Sequence, residues 1–225
     1  MKNIKNNSEN FKYRNGGLEE LFVIDEIEEG NIQLPSIPLL NVFKERKNRV
    51  LWINKEVADD LQEEIKCIIQ LNREDAGKPI EERKPCVCII SSPGGDLYSM
   101  YAFIDVVAMS KTPIWTINLN YAFSASALML LAGHKRFCLK NSSLLFHNGS
   151  GSSGGNFNEM QEMNKSWQNM VKRMQEYIIE RTNIPKQTLT KKLKSDWILS
   201  AKEQLEYGCV DEILEDIDVI LNLSK

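Results

Sequence analysis

The sequence predicts an α/β fold, a parallel sheet flanked by helices and built from repeated ββα units. Three observations point there. Short apolar runs of strand length, VLWIN (50–54), CVCII (86–90) and Ile114–Leu119, alternate with stretches of helical periodicity. The turn Ser92-Pro93-Gly94-Gly95 joins one such strand to a helix. A long amphipathic stretch from Asn158 to about Arg181 then stands apart from the repeats.

The first 40 residues read as an N-terminal extension. Residues 1 to about 17 are polar and end in Asn15-Gly16-Gly17, a flexible tail. Leu18–Ile27 is a short apolar, acidic element, and Pro35 and Pro38 predict an extended connector rather than a regular helix. The α/β domain is expected over 41–225. Its first strand is followed by Leu61, Ile65, Ile68 and Ile69 at helical spacing, then by a charged loop, REDAGKPIEERKP. Leu97, Tyr101, Ile104 and Val107 place an apolar stripe on the next helix. After the third strand, Ser124 opens a helix of small residues that Gly133 ends as a C′ glycine. Arg136–Lys140 and Leu144–His147 are expected to pair as a hairpin across Lys140–Ser143. Pro185 opens a further helix, and Ser200-Ala-Lys-Glu203 is an S-x-x-E capping box.

With 225 residues, 42% of them hydrophobic, the chain can bury one sizeable core. A net charge of −3 gives no electrostatic reason to expect a nucleic acid or an anionic membrane as partner. No apolar run approaches a membrane span, and MKNIKNNSENFKYRN lacks the apolar core of an export signal. The five cysteines, Cys67, Cys86, Cys88, Cys138 and Cys209, are odd in number and contain no C-x-x-C. They read as buried thiols in a reducing cytoplasm, with no metal site implied.

The chemistry is expected around Ser124. At a first helical turn, backbone N–H groups lack intrahelical partners, so the Ala125 N–H can stabilise an oxyanion beside the hydroxyl. A plain N-cap serine is the competing explanation. Ser126, the other possible nucleophile, faces the opposite side of the helix and into packing. Only two histidines are present. His147 ends an apolar strand, whereas His134 follows Gly133 and is explained by a helix C-terminus. The orienting acid is Asp196, beside Trp197-Ile198-Leu199 and therefore expected to be buried, with Asp211 as its rival. The two glycines after Ser92-Pro93 free backbone N–H groups to face a ligand, and Gly95 is the second oxyanion donor. The motif G-x-x-x-x-G-K-[ST] is missing, so a nucleotide P-loop is not supported, and no cofactor is called for. The glycine-rich stretch 149–155 is either a linker or a strand that lets backbone approach an extended ligand.

On the helix 158–181, Met160, Met163, Trp167, Met170, Met174 and Tyr177 recur at heptad spacing, a seam for another helix. Homo-oligomerisation follows.

Taken together, Ser92-Pro93-Gly94-Gly95, Ser124 before Ala132-Gly133, Lys135-Arg136-Phe137-Cys138-Leu139, His147, and Asp196-Trp197 through Glu206-Tyr207-Gly208 resemble the ClpP family, the proteolytic subunits of caseinolytic protease. The resemblance runs from about Phe43 to Leu214. It implies a ClpP/crotonase-like fold with a protruding handle helix at 158–181. It also implies a cytoplasmic serine endopeptidase with Ser124 as nucleophile, His147 as general base and Asp196 as orienting acid. Gly95 and Ala125 would form the oxyanion hole, and Gly149, Gly151 and Gly154 would align a peptide substrate. Two heptameric rings joined by the handles into a tetradecamer, fed by an AAA+ unfoldase, complete the implied picture. Phe123 and Ser126 stand where the family has small residues and a glycine, and Asn148-Gly149 where a proline soon follows the histidine. These departures suggest a divergent member. Alternatives are an inactive ring or scaffold subunit, or a phage-type capsid-maturation peptidase. The fold also resembles crotonases, for which no acyl-CoA site is identified, and signal-peptide peptidases, whose serine–lysine pair is made unnecessary here by His147 and Asp196.

Overall fold

The computed structural model describes residues 37–150 and 154–216, so the apolar element expected at Leu18–Ile27 lies outside the described residues. The chain divides into a unit ending at Lys47 and an α/β unit beginning at Asn48. In the first, helix α1 spans Ile37–Lys47 where an extended connector was expected. Pro38 is its second residue, and there the missing N–H costs nothing because first-turn amides have no intrahelical acceptor.

The α/β unit runs β1 (Val50–Ile53), α2 (Gln62–Glu74), β2 (Cys86–Ser92), α3 (Leu97–Met109), β3 (Ile114–Phe123), α4 (Ala125–Ala132), β4 (Lys135–Leu139) and β5 (Ser143–Phe146). It continues with α5 (Phe157–Arg181), α6 (Lys186–Lys192), β6 (Trp197–Ser200), α7 (Ala201–Glu206) and β7 (Glu212–Leu214). The charged loop after α2 contains a single 3₁₀ turn at Ile80–Glu82. Among the described residues the sheet has seven strands in the order β1-β2-β3-β4-β7, with β5 also on β3 and β6 on β5. All pairs are parallel except β5–β6.

The expected hairpin between the strands at 136–140 and 144–147 is not formed. Instead β3 is long enough to be shared. Its first half, Trp115–Asn118, pairs with β4, and its second half, Tyr121–Phe123, pairs with β5. The strand forks because residues 140–142 carry β5 forward past the end of β4 rather than back along it. β3 therefore reaches Phe123, four residues beyond the expected end, and this extension delivers Ser124 to the site.

β2 is buried almost throughout, as a central parallel strand covered on both faces should be. Its alternation sends Cys86, Cys88 and Ile90 into the main core beneath the helices, and Val87 and Ile89 into a smaller cluster with Ile117, Phe137 and Leu214. No disulfide forms among the described residues; Cys86, Cys88, Cys138 and Cys209 are buried thiols and Cys67 is partly buried. Helix α4 is buried along its whole length. Gly133 ends it without the left-handed turn expected of a C′ glycine, since its φ is −53°. Glycine is needed there for space, because a side chain would strike the Thr116 hydroxyl of β3.

Helix α5 opens on a capping box in which Asn156 accepts from the Asn158 and Glu159 N–H groups and Glu159 accepts from the Asn156 N–H. Its apolar seam divides along its length. Met160 and Met163 are 40% and 45% exposed, whereas Met174 and Ile178 are buried on the core.

Candidate active site

Ser124, His147, Asp196 and the Gly94-Gly95 turn lie at the carboxyl ends of the parallel strands β2, β3 and β5, the end where open α/β sheets bind ligands. His134 and Asp211 lie instead at the amino ends of β4 and β7. Ser124 is the hinge between β3 and α4. Its φ of 55° and ψ of −122° are an unusual backbone conformation for a residue with a side chain. The elbow is held by its neighbours. The Ser124 N–H donates to the Leu145 carbonyl at 3.0 Å, and the Ser124 carbonyl accepts from Ala127 at 3.0 Å. The sharp turn lifts the side chain out of the strand plane, as a G-x-S-x-G elbow does without requiring that motif here.

His147 and Asp196 are brought together by strand register. β5 and β6 pair antiparallel with Phe146 opposite Trp197, so the next residue of one strand and the preceding residue of the other face each other. His147 Nε2 lies 2.6 Å from Ser124 Oγ, a hydrogen bond. On the other side of the ring, Nδ1 lies 3.7 Å from Asp196 Oδ1, beyond hydrogen-bond range. The Asp196 side chain is 69% exposed, against the burial expected from its apolar neighbours. The reason is the edge position of β6, which among the described residues pairs only with β5. Trp197 and Leu199 point into the core while Ile198 is 56% exposed, and Asp196 shares the outward face with Ile198.

The turn after β2 presses against the same elbow. Val57 bridges it in parallel, its N–H donating to the Gly94 carbonyl at 2.8 Å and its carbonyl accepting from Asp96 at 2.7 Å. In a parallel bridge the central residue's own N–H and carbonyl face the other way, so those of Gly95 point away from Val57. Gly94, at φ 90°, has no room for a side chain, which would overlap the Phe123 carbonyl and lie 2.8 Å from the Ala125 nitrogen and from Ser124 Cβ. Gly95, at φ 147°, has none either, because it would strike the Val57 carbonyl. Ser126 is fully buried, as expected, and its hydroxyl meets the backbone of both turns at Ser92 and Phe123.

The remaining candidates sort cleanly. His134 accepts from the Ile114 N–H through Nδ1 at 2.9 Å, and burial pushes its pKa down, so it is a structural group of the β3–β4 junction. Asp211 is paired with Arg136 at 2.6 Å. Gly149, at φ 80°, lies beneath Trp167, whose ring carbons would sit 3.1 and 3.2 Å from an added Cβ. Gly154 faces open space, and Gly151 lies outside the described residues. Among the described residues no cluster of three or more His, Cys, Asp or Glu side chains could hold a metal. Sequence reasoning missed Asn148, which donates to the Leu193 carbonyl at 2.9 Å and accepts from Gln175 at 3.0 Å, fixing the chain just after His147. A polar residue directly after a candidate base was the available signal.

A hydroxyl on a strained helix start, hydrogen-bonded to an imidazole at the carboxyl end of a parallel sheet, has the make-up of a nucleophile-and-base site in an α/β protein. Comparison with known proteins narrows this class. The Clp protease family model matches residues 40–216. The ATP-dependent Clp protease proteolytic subunit of Deinococcus radiodurans is 27% identical over 171 residues, covering 75% of this chain and 81% of the relative. The ATP-dependent Clp protease proteolytic subunit 2 of Bacillus licheniformis is 30% identical over 171 residues, covering 75% of this chain and 87% of the relative. A solved variant of ClpP1 from Listeria monocytogenes superposes with a TM-score of 0.67 at 25% identity, covering 81% of this chain and 98% of that one. The chain belongs to the Clp protease family, and its fold is the ClpP fold.

Proposed function

We propose that the chain is a serine endopeptidase that hydrolyses peptide bonds of unfolded proteins inside an oligomeric chamber. The observation that carries this reading is the 2.6 Å contact of His147 Nε2 with Ser124 Oγ at a backbone hinge. His147 takes the Ser124 proton as the hydroxyl attacks a peptide carbonyl, and returns it to the leaving amine; water then hydrolyses the acyl-enzyme. The N–H groups of Gly95 and Ala125 receive the oxyanion. Asp196, across the ring, stabilises the imidazolium at 3.7 Å through charge rather than through a direct hydrogen bond. Gly149, Gly151 and Gly154 align the substrate backbone.

Assembly is supported by apolar surface left uncovered on the chain. Phe157, Met160 and Met163 are exposed at the start of α5, and Trp52 is 40% exposed on the edge strand β1. Rings of this chain, stacked through α5 into a tetradecamer and served by an AAA+ unfoldase in the cytoplasm, complete this reading, and the ATP dependence in two relatives' names supports an energy-supplying partner. No described helix is long and apolar enough to cross a membrane.

The test is labelling by a fluorophosphonate, which reacts with activated serines. Wild type is expected to be labelled and Ser124→Ala not; labelling that survives the substitution removes the assignment. The second reading, a ring or scaffold subunit with weak chemistry, is favoured by the exposed Asp196 and its long distance to His147. Peptide turnover measured with and without other ring subunits separates the two.

A further inference from the structure

Ser126 sits on α4 two residues beyond Ser124, with no exposed surface. Its Oγ accepts from the Phe123 N–H at 2.8 Å, and lies 2.7 Å from the Ser92 carbonyl oxygen and 2.8 Å from that of Phe123. A hydroxyl has one proton, which here is donated to one of two carbonyls or shared between them. Those partners are not arbitrary. Ser92 opens the turn that carries Gly95, and Phe123 ends the strand that delivers Ser124 and Ala125. The β2–β3 register shifts between Ile90 and Ser92 and resumes with Ser92 opposite Ala122, beside both turns. Just beyond the shift, the Ser126 hydroxyl ties the Ser92 and Phe123 backbones together, and Gly94 lets the turn close onto the Phe123 carbonyl and the Ala125 N–H.

We propose that Ser126 is the positioning residue that sets the spacing of the Gly95 and Ala125 N–H groups, so that both converge on one oxyanion. The inference rests on the peptidase reading. Ser126 touches neither the substrate nor the reacting atoms; it acts through the two backbone turns. Replacing it with alanine leaves the Phe123 N–H and the Ser92 carbonyl without this partner in a buried site, and the two donors drift apart.

The expected effect of Ser126→Ala is a loss of about tenfold to a hundredfold in kcat with KM within about twofold, a part of what deleting a whole oxyanion donor costs. The discriminating measurement pairs a peptide aldehyde, which forms a tetrahedral adduct with Ser124, with the corresponding unreactive peptide alcohol. Ser126→Ala is expected to weaken the aldehyde by the factor seen in kcat and to leave alcohol binding unchanged. Ser126→Cys, a weaker donor in the same space, is expected to fall between wild type and alanine. Equal weakening of aldehyde and alcohol, or unchanged aldehyde affinity, overturns the proposal. Should Ser126→Ala fail to fold, Ser126→Cys is read by the same pair of ligands with the same two outcomes. A wild type that neither hydrolyses peptide nor depends on Ser124 for labelling removes the peptidase reading, and this one with it. An active wild type with an unaltered Ser126→Ala removes this one alone.

Discussion

Asp75 and Asp196 are two carboxylates at opposite ends of one parallel sheet, and the chain treats them in opposite ways. Asp75 follows α2 near the amino ends of the strands, with its side chain fully buried. It takes both Arg49 guanidinium nitrogens at 2.7 and 2.8 Å, the Thr112 hydroxyl at 2.9 Å and the Lys78 ammonium at 2.9 Å. Asp196, at the carboxyl ends, is mostly exposed and out of hydrogen-bond range of the imidazole that it faces. Fixed, saturated charge thus locks the end of the sheet without the candidate site. At the other end precision comes from backbone instead, through the Ser124 hinge, the Gly94 turn and the Ser126 hydroxyl. In this pair the rigid carboxylate braces the scaffold, and the loosely held one faces the imidazole where chemistry is proposed.

The contrast breaks most sharply on activity. Ser124→Ala is expected to lower peptide turnover by about 10⁴-fold or more, equivalent to roughly 5 kcal/mol of barrier. Its urea midpoint should change little, because the hinge is held by Ser124 backbone hydrogen bonds and the substitution removes only the hydroxyl's contact with the partly exposed His147 ring. Next comes Asp75→Ala. It leaves the Arg49 guanidinium, only 13% exposed, without its bidentate partner, and should cost about 3–5 kcal/mol of stability. Turnover per folded molecule should not change. A turnover defect in the folded fraction would show that the two ends of the sheet are coupled.

Asp196→Asn sharpens the other side. A buried, hydrogen-bonded triad acid is worth about 10⁴ in kcat. With an exposed carboxylate at 3.7 Å, the expected loss is only about tenfold to a hundredfold, and unfolding in urea should be unmoved. A loss as large as the buried case would mean that the carboxylate closes onto His147 in the working enzyme.

Much of this was legible in the sequence, for reasons that also explain the failures. β2 and β3 announce themselves as short apolar runs, and α5 by its heptad spacing, because burial imposes periodicity. Ser124 and His147 stood out because a strand-to-helix hydroxyl and a strand-end histidine are scarce features in a chain with two histidines. The burial expected for Asp196 misjudged an edge strand, in which apolar neighbours alternate sides rather than enclose the acid. The hairpin expected after β4 failed because local spacing cannot reveal that β3 is shared by two partners. The roles of Asp75 and Ser126 depend on groups far away in the chain or on backbone carbonyls, which carry no side-chain signature.

The smallest expected effect concerns acid. The Arg49 guanidinium beside Asp75, helped by Lys78 and Thr112, holds its carboxyl well below the usual aspartate range against the cost of burial. The depressed folded-state value means that the unfolded chain binds the proton first. The stability this group contributes is therefore fully present above the unfolded pKa of about 3.9 and is lost as pH falls below it toward the folded value. Urea midpoints of wild type should then fall below about pH 4 more steeply than those of Asp75→Asn, which has no proton to take up at that position. Equal slopes would mean that Asp75 retains its partners in the unfolded chain, so that the scaffold end of the sheet owes less to this carboxylate than its contacts imply.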